Sequence, residues 1–166
     1  MYQRKRISAQ AVPHALEKAE RYRLLNEPAQ AESICLDVLE VEPDHERALV
    51  VLVLALSDQL EERLATAFPR AQELVARLPT EYARAYYGAI LCERRARAHR
   101  RRGGAGSGVA AYEWLRRALD GFARAIELRP PDNDEAVLRW NSCVRMLEGD
   151  PALRPAHADD FQALLE

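Results

Sequence analysis

Strand formers are scarce in this chain: among 166 residues there are only 2 Thr, 4 Ile and 10 Val. A sheet needs β-branched and aromatic residues to cover a pleated, half-buried surface, so a fold built on β-strands is excluded. Cysteine is limited to Cys35, Cys92 and Cys143, odd in number and far apart. That pattern predicts reduced thiols in a cytosol rather than a disulfide framework. Long apolar runs are missing as well. The longest, Ala48 to Leu56, has nine residues, whereas about 20 are needed to cross a bilayer. The basic start at Arg4, Lys5 and Arg6 is not followed by the apolar stretch of a secretory signal, and a soluble, cytoplasmic protein without a membrane partner is expected. Neither sign of charge dominates: a net charge of -2 and a pI near 6.1 give no global attraction to nucleic acid. Lysine is nearly absent, 2 against 22 Arg, a bias that points to a GC-rich bacterial genome.

Helix formers fill the space that strand formers leave. Ala (28), Leu (22), Arg (22) and Glu (17) make up 89 of the 166 residues, which predicts an all-α fold. With 48% hydrophobic and 30% charged residues there is material for one core and for a solvated surface, and disorder of the whole chain is excluded.

Proline, glycine and capping residues divide the chain into segments with apolar residues at three-and-four spacing. The segments predict antiparallel helix pairs over 13–25/29–41, 45–64/69–78 and 81–102/109–128, then a closing helix over 134–148. Asp44 and Thr80 are the expected caps of the third and fifth helices, and Pro69 fits the first turn of the fourth. Residues 1–11 read as a basic N-terminal segment. Residues 149–166 read as a tail with one short helix over Asp159 to Leu165. The Gly103 to Gly108 stretch reads as a flexible connector. Ala31, Cys35, Leu52, Leu56, Ala89, Ala118, Phe122, Ala125 and Trp140 are the expected core.

Prolines after a helix recur at Pro43, Pro79 and Pro130, at intervals of 36 and 51, close to one 34-residue period and to one period plus an insertion. Around them stand Ala15, Ala19, Tyr22, Ala31, Cys35 and Val38, then Leu49, Leu52, Leu56, Ala67, Ala71 and Leu74. A third set is Ala85, Gly88-Ala89, Cys92, Ala118, Phe122 and Ala125. On these positions residues 12–148 resemble the tetratricopeptide repeat (TPR) family, with degenerate repeats and an insertion at about 98–110. The resemblance implies a right-handed α-α superhelix of three helix pairs plus a closing helix. It also implies a non-catalytic scaffold that binds a peptide or helix of a partner on the inner face of the first helices.

The inward positions implied by the family are Leu16, Glu20 and Arg23, then Val50, Leu54 and Asp58, then Tyr86, Ile90 and Arg94, and last Leu138, Ser142 and Arg145. They describe either an apolar groove with a charged rim or, where tight curvature closes it, plain core. The occupant of an open groove would be a protein or peptide partner, a second copy in a homodimer, or the chain's own tail through Phe161, Leu164 and Leu165.

No catalytic constellation emerges. His14, His45, His99 and His157 lack partners at metal-ligand spacing, and no two cysteines form a CxxC pair. The glycine stretch follows a helix rather than a strand and lacks the Lys of a phosphate loop. No enzyme activity, metal or cofactor is therefore expected. The sharpest local feature is the run from Arg94 to Arg102. It reads first as a solvated helix extension whose arginines suit the helix C-terminus and pair with acidic faces of neighbours, and second as an anion site with Arg94, Arg95, Arg97 and Arg101 as candidate ligands. With no aromatic residue interleaved, nucleic acid is the weaker expectation for it.

Overall fold

A computed structural model describes residues 1–156, and these form a short 3₁₀ turn, Ala9–Ala11, followed by seven α-helices. They are α1 (Val12–Leu24), α2 (Pro28–Val41), α3 (Glu46–Asp58), α4 (Leu60–Ala76), α5 (Glu81–Arg102), α6 (Ser107–Leu128) and α7 (Glu135–Gly149). There is no strand among the described residues, as the composition requires. The tail helix expected over Asp159 to Leu165, and the cover expected from Phe161, Leu164 and Leu165, lie outside the described residues.

Each helix packs on the next one, and α1 also touches α3, α3 touches α5, and α5 touches α7. Five of the seven helices, α1, α2, α5, α6 and α7, begin and end within two residues of their expected bounds; prolines open α1 and α2, and Thr80 caps α5 by accepting from the Ala83 N–H at 3.0 Å. The cap of α3 is His45 rather than Asp44. Its Nδ1 accepts from the Ala48 N–H at 3.3 Å.

The second pair departs most from expectation. The break falls at Gln59, not between Leu64 and Pro69, and Arg63 leaves helical geometry at φ -126, ψ 34. The cause is buried Glu32 on α2. Its carboxylate accepts from Gln59 Nε2 (2.9 Å), Arg63 (3.0 Å) and Arg70 (2.7 Å), and satisfying that charge sets the path of α4. Regular helix resumes after Arg63, so Pro69 sits in the second turn of that stretch and removes a single ladder bond.

The insertion in the third pair lengthens both helices, in keeping with the expected bounds 81–102 and 109–128. The turn between α5 and α6 is confined to residues 103–106, while both helices have 22 residues against 13 to 17 in the others. Each spans about 33 Å. Gly103, Gly104 and Gly106 take positive φ, and hydrogen bonds from Gly103 N–H to His99 O and from Ser107 N–H to Gly104 O close the turn.

Two large apolar clusters form the core. One joins α1 to α5 through Ala19, Ala31, Cys35, Leu52, Leu56, Phe68 and Leu91. The other joins α5, α6 and α7 through Ala89, Ala118, Phe122, Ala125 and Cys143. Every expected core residue is buried except Trp140, which is half-buried against the second cluster.

Candidate functional site

The inward positions implied by the family do not all reach one surface. Leu16 is 1% exposed and packs with Val12, Val38 and Ala48. Ile90 and Tyr86 are buried in the second cluster, where the Tyr86 ring lies 6.1 Å from that of Phe122. These three are core. Leu138, 68% exposed, and Arg145 stand on the outer part of α7, and Arg145 borders a separate cleft with Met146, Asp150 and Leu153.

Glu20, Val50 and Leu54 do share a surface. With Arg23, Leu24, His45, Glu46, Arg47, Val51 and Tyr87 they line an open trough over α1, α3 and α5. Its floor is apolar, and its rim carries the bidentate pair of Arg47 with Glu20 at 2.8 and 2.7 Å. Tyr87, rather than Tyr86, faces it; burial pushes the Tyr87 hydroxyl up to about 12. Adjacent residues on a helix point about 100° apart, so a one-residue slip in the inferred register moved the lining residue into the core. Leu24 was missed for another reason. It is 88% exposed at the end of α1, outside the stripe that the repeat pattern marks as inward.

The arginine run divides by helix face. Arg94, Arg97 and Arg101, at three-and-four spacing on α5, line a polar cleft of about 320 Å³ together with Arg23 of α1, Asp58 of α3, Glu61 of α4, Glu93 of α5 and Arg139 of α7. Asp58 binds both Arg23, at 2.8 Å, and Arg94. Fully buried Glu93 binds Arg97 at 2.8 Å and Arg139 at 3.4 Å. Arg101 pairs with Glu61. Burial, and after it the nearby charges of Arg23, Arg139 and Arg97, lower the Arg94 guanidinium to about 10. Burial also lowers Arg23.

Arg95 lies on the opposite face of α5. Its guanidinium is held between the rings of Phe68 and Trp114, 4.2 and 3.9 Å from their centroids, a cation–π arrangement that ties α4 to α6. Arg100 binds Asp150 at 2.8 and 2.5 Å, and Arg102 donates to the Glu61 carbonyl at 2.7 and 3.0 Å. Of the cleft partners, Arg23 and Asp58 stand with Arg94 among the inward positions that the repeat pattern marks, whereas Glu93 and Arg139 lie outside that pattern.

Burial pushes Cys35 and Cys143 up to about 12 and raises Cys92, the reverse of what a thiolate nucleophile needs. No group of three His, Cys, Asp or Glu side chains that could hold a metal ion occurs among the described residues, and none of their helices is long and apolar enough to cross a membrane. Comparison with known proteins finds no matching family model, no matching curated protein and no matching solved structure.

Proposed function

We propose that the chain is a non-catalytic protein-interaction scaffold, built as a TPR-like array, that holds a peptide or helix of a partner in the trough over α1, α3 and α5. The observation that carries this reading is an exposed apolar trough, with Leu24, Val50, Leu54 and Tyr87 beside a charged rim. Apolar anchors in a groove are how helices and peptides are commonly held. Contacts between alternate helices, α1 with α3, α3 with α5 and α5 with α7, support an array in which first helices share one face. Apolar surface left in water costs about 25 cal/mol per Å² relative to burial, so an occupant of matching shape gains by covering it.

An open strip for nucleic acid, from Arg94 to Arg102, has less support. Arg94, Arg97, Arg100, Arg101 and Arg102 each bind an acidic side chain or a carbonyl of the chain itself, and Arg95 is stacked between rings.

The test is selection of peptides on the full chain from a random library, followed by binding to a Leu54→Asp, Tyr87→Asp variant. Loss of at least about tenfold in affinity, corresponding to 1.4 kcal/mol, with an unchanged circular dichroism spectrum is the expected result. Equal binding by the variant, or no selectable peptide, sinks the reading. Sedimentation of the same two proteins tells a second copy from a foreign partner.

A further inference from the structure

Among the described residues, the charge of the arginine cleft is not balanced. Five guanidinium groups, Arg23, Arg94, Arg97, Arg101 and Arg139, face three carboxylates, Asp58, Glu61 and Glu93, and two positive charges are left over. One excess charge falls on Arg23 and Arg94, which share Asp58 and are only 19% and 21% exposed, and the other on Arg97 and Arg139, which share Glu93 and are 43% and 37% exposed. Like charges held together out of water are unfavourable unless an anion shares the space.

The carboxylates act as anchors. Each arginine is tied to its carboxylate through one nitrogen, while a guanidinium carries five N–H donors in a planar fork. Three helices, α1, α5 and α7, thus present several forks, fixed in place around one cleft by carboxylates of α3, α4 and α5. The preorganisation lowers the entropy lost on binding.

The charge count selects the ligand. A carboxylate would leave one positive charge uncompensated, whereas a phosphomonoester carries about -1.5 to -2 near pH 7 and offers three acceptor oxygens. Arginine forks bind such oxygens bidentately. A volume of about 320 Å³ is at the small end for ligand pockets, which suits a phosphoryl group with little attached to it. We propose that this cleft is a binding site for a phosphomonoester, held by Arg23, Arg94, Arg97, Arg101 and Arg139. The site is distinct from the trough proposed for a peptide, with which it shares Arg23.

The experiment is calorimetric titration of the full chain with phenyl phosphate, inorganic phosphate and acetate at matched ionic strength. Saturable one-site binding of both phosphates is expected, with acetate at least about tenfold weaker. Arg101→Gln and Arg97→Gln should each weaken phosphate binding about tenfold, while Arg116→Gln on α6 should not. Arg101 is 68% exposed, so its variant keeps the test valid if Arg97→Gln disturbs folding by releasing Glu93. No saturable binding, acetate as tight as phosphate, or an equal loss in Arg116→Gln overturns the proposal. A phosphoserine peptide containing two leucines tells the two sources of the ester apart. Tighter binding that falls back in the Leu54→Asp, Tyr87→Asp variant places the ester on a protein partner, and binding like phenyl phosphate places it on a free metabolite. Both uphold the cleft. Phosphate binding that survives this double variant while peptide selection fails would sink the trough alone.

Discussion

Glycine at two helical positions of the third pair shows how a single methyl group is decided by its surroundings. A Cβ on Gly121 of α6 would lie 2.9 Å from the Ala89 Cβ and 3.4 Å from its Cα, whereas one on Gly88 of α5 would meet only Val75 Cγ1, at 3.7 Å. Replacing a helical Gly by Ala gains about 1 kcal/mol in propensity. At Gly88 nothing opposes that gain. At Gly121 the obstacle includes the backbone of α5, and overpacking of this kind costs about 1–3 kcal/mol. Urea denaturation should therefore give opposite signs: Gly88→Ala more stable by up to about 1 kcal/mol, and Gly121→Ala less stable by about 1 kcal/mol. Two stabilising variants would mean that α5 and α6 do not approach as closely as described. The sequence singled out Gly88, at a position of the repeat pattern, and gave no signal at Gly121. Only the crossing of α5 and α6 shows which of them is closely packed.

Among the elements, α4 owes its shape to a residue on α2. Burial by itself would raise the Glu32 carboxyl, but the Gln59 amide, Arg70 and Arg63 outweigh it and hold the group below its ordinary value of 4.5. A lowered folded value means stability that is present above about pH 4.5 and is lost as pH falls through that value. At pH 7, Glu32→Gln should be less stable by about 2 kcal/mol, the range for hydrogen bonds to a charged group. The gap between variant and wild type should narrow on acidification below about pH 4.5, where the wild-type carboxyl takes up its proton. A gap of equal size at pH 7 and pH 3 in urea denaturation would show that the Glu32 charge does not matter. The sequence placed a break in this region but misplaced it by several residues. Pro69 was the visible signal, while the hydrogen-bonded network around Glu32 links residues 27 to 38 positions apart and has no local signature. By contrast, the insertion before Ala118 was legible as lengthened helices over 81–102 and 109–128, and the tertiary structure added what they pack on, Phe68 against Trp114 and Gly108 against Ala152.

Across the molecule as a whole, ion pairs connect the helices that alternate in sequence. Arg23, Asp58 and Arg94 join α1, α3 and α5, and Glu93 with Arg139 joins α5 to α7. Asp58 is the shared acceptor of two partly buried arginines, so removing its charge leaves both facing each other. Asp58→Asn should cost about 2 kcal/mol, below the figure for a fully buried pair because water reaches these side chains. High salt should reduce the loss by screening the repulsion. Thermal unfolding at low and high salt measures both effects, and a variant as stable as wild type in low salt would mean that the helices are held by apolar packing alone.

Composition and periodicity by themselves determined that the chain is helical, where most helices begin and end, and which small and large residues fill the core. Those properties are local, since propensity, capping and a 3.6-residue stripe are read along one segment. The tertiary structure alone decided which residues of the inner helices are surface: Leu16, Tyr86 and Ile90 went to the core, while Leu24 and Tyr87 reached the trough. It also decided that Arg94, Arg97 and Arg101 meet Arg23 and Arg139, whereas Arg95 turns away to Phe68 and Trp114. A helix fixes the angle between its own side chains, but what stands opposite each of them depends on helices far away in sequence, and so does every charge sum on which binding rests.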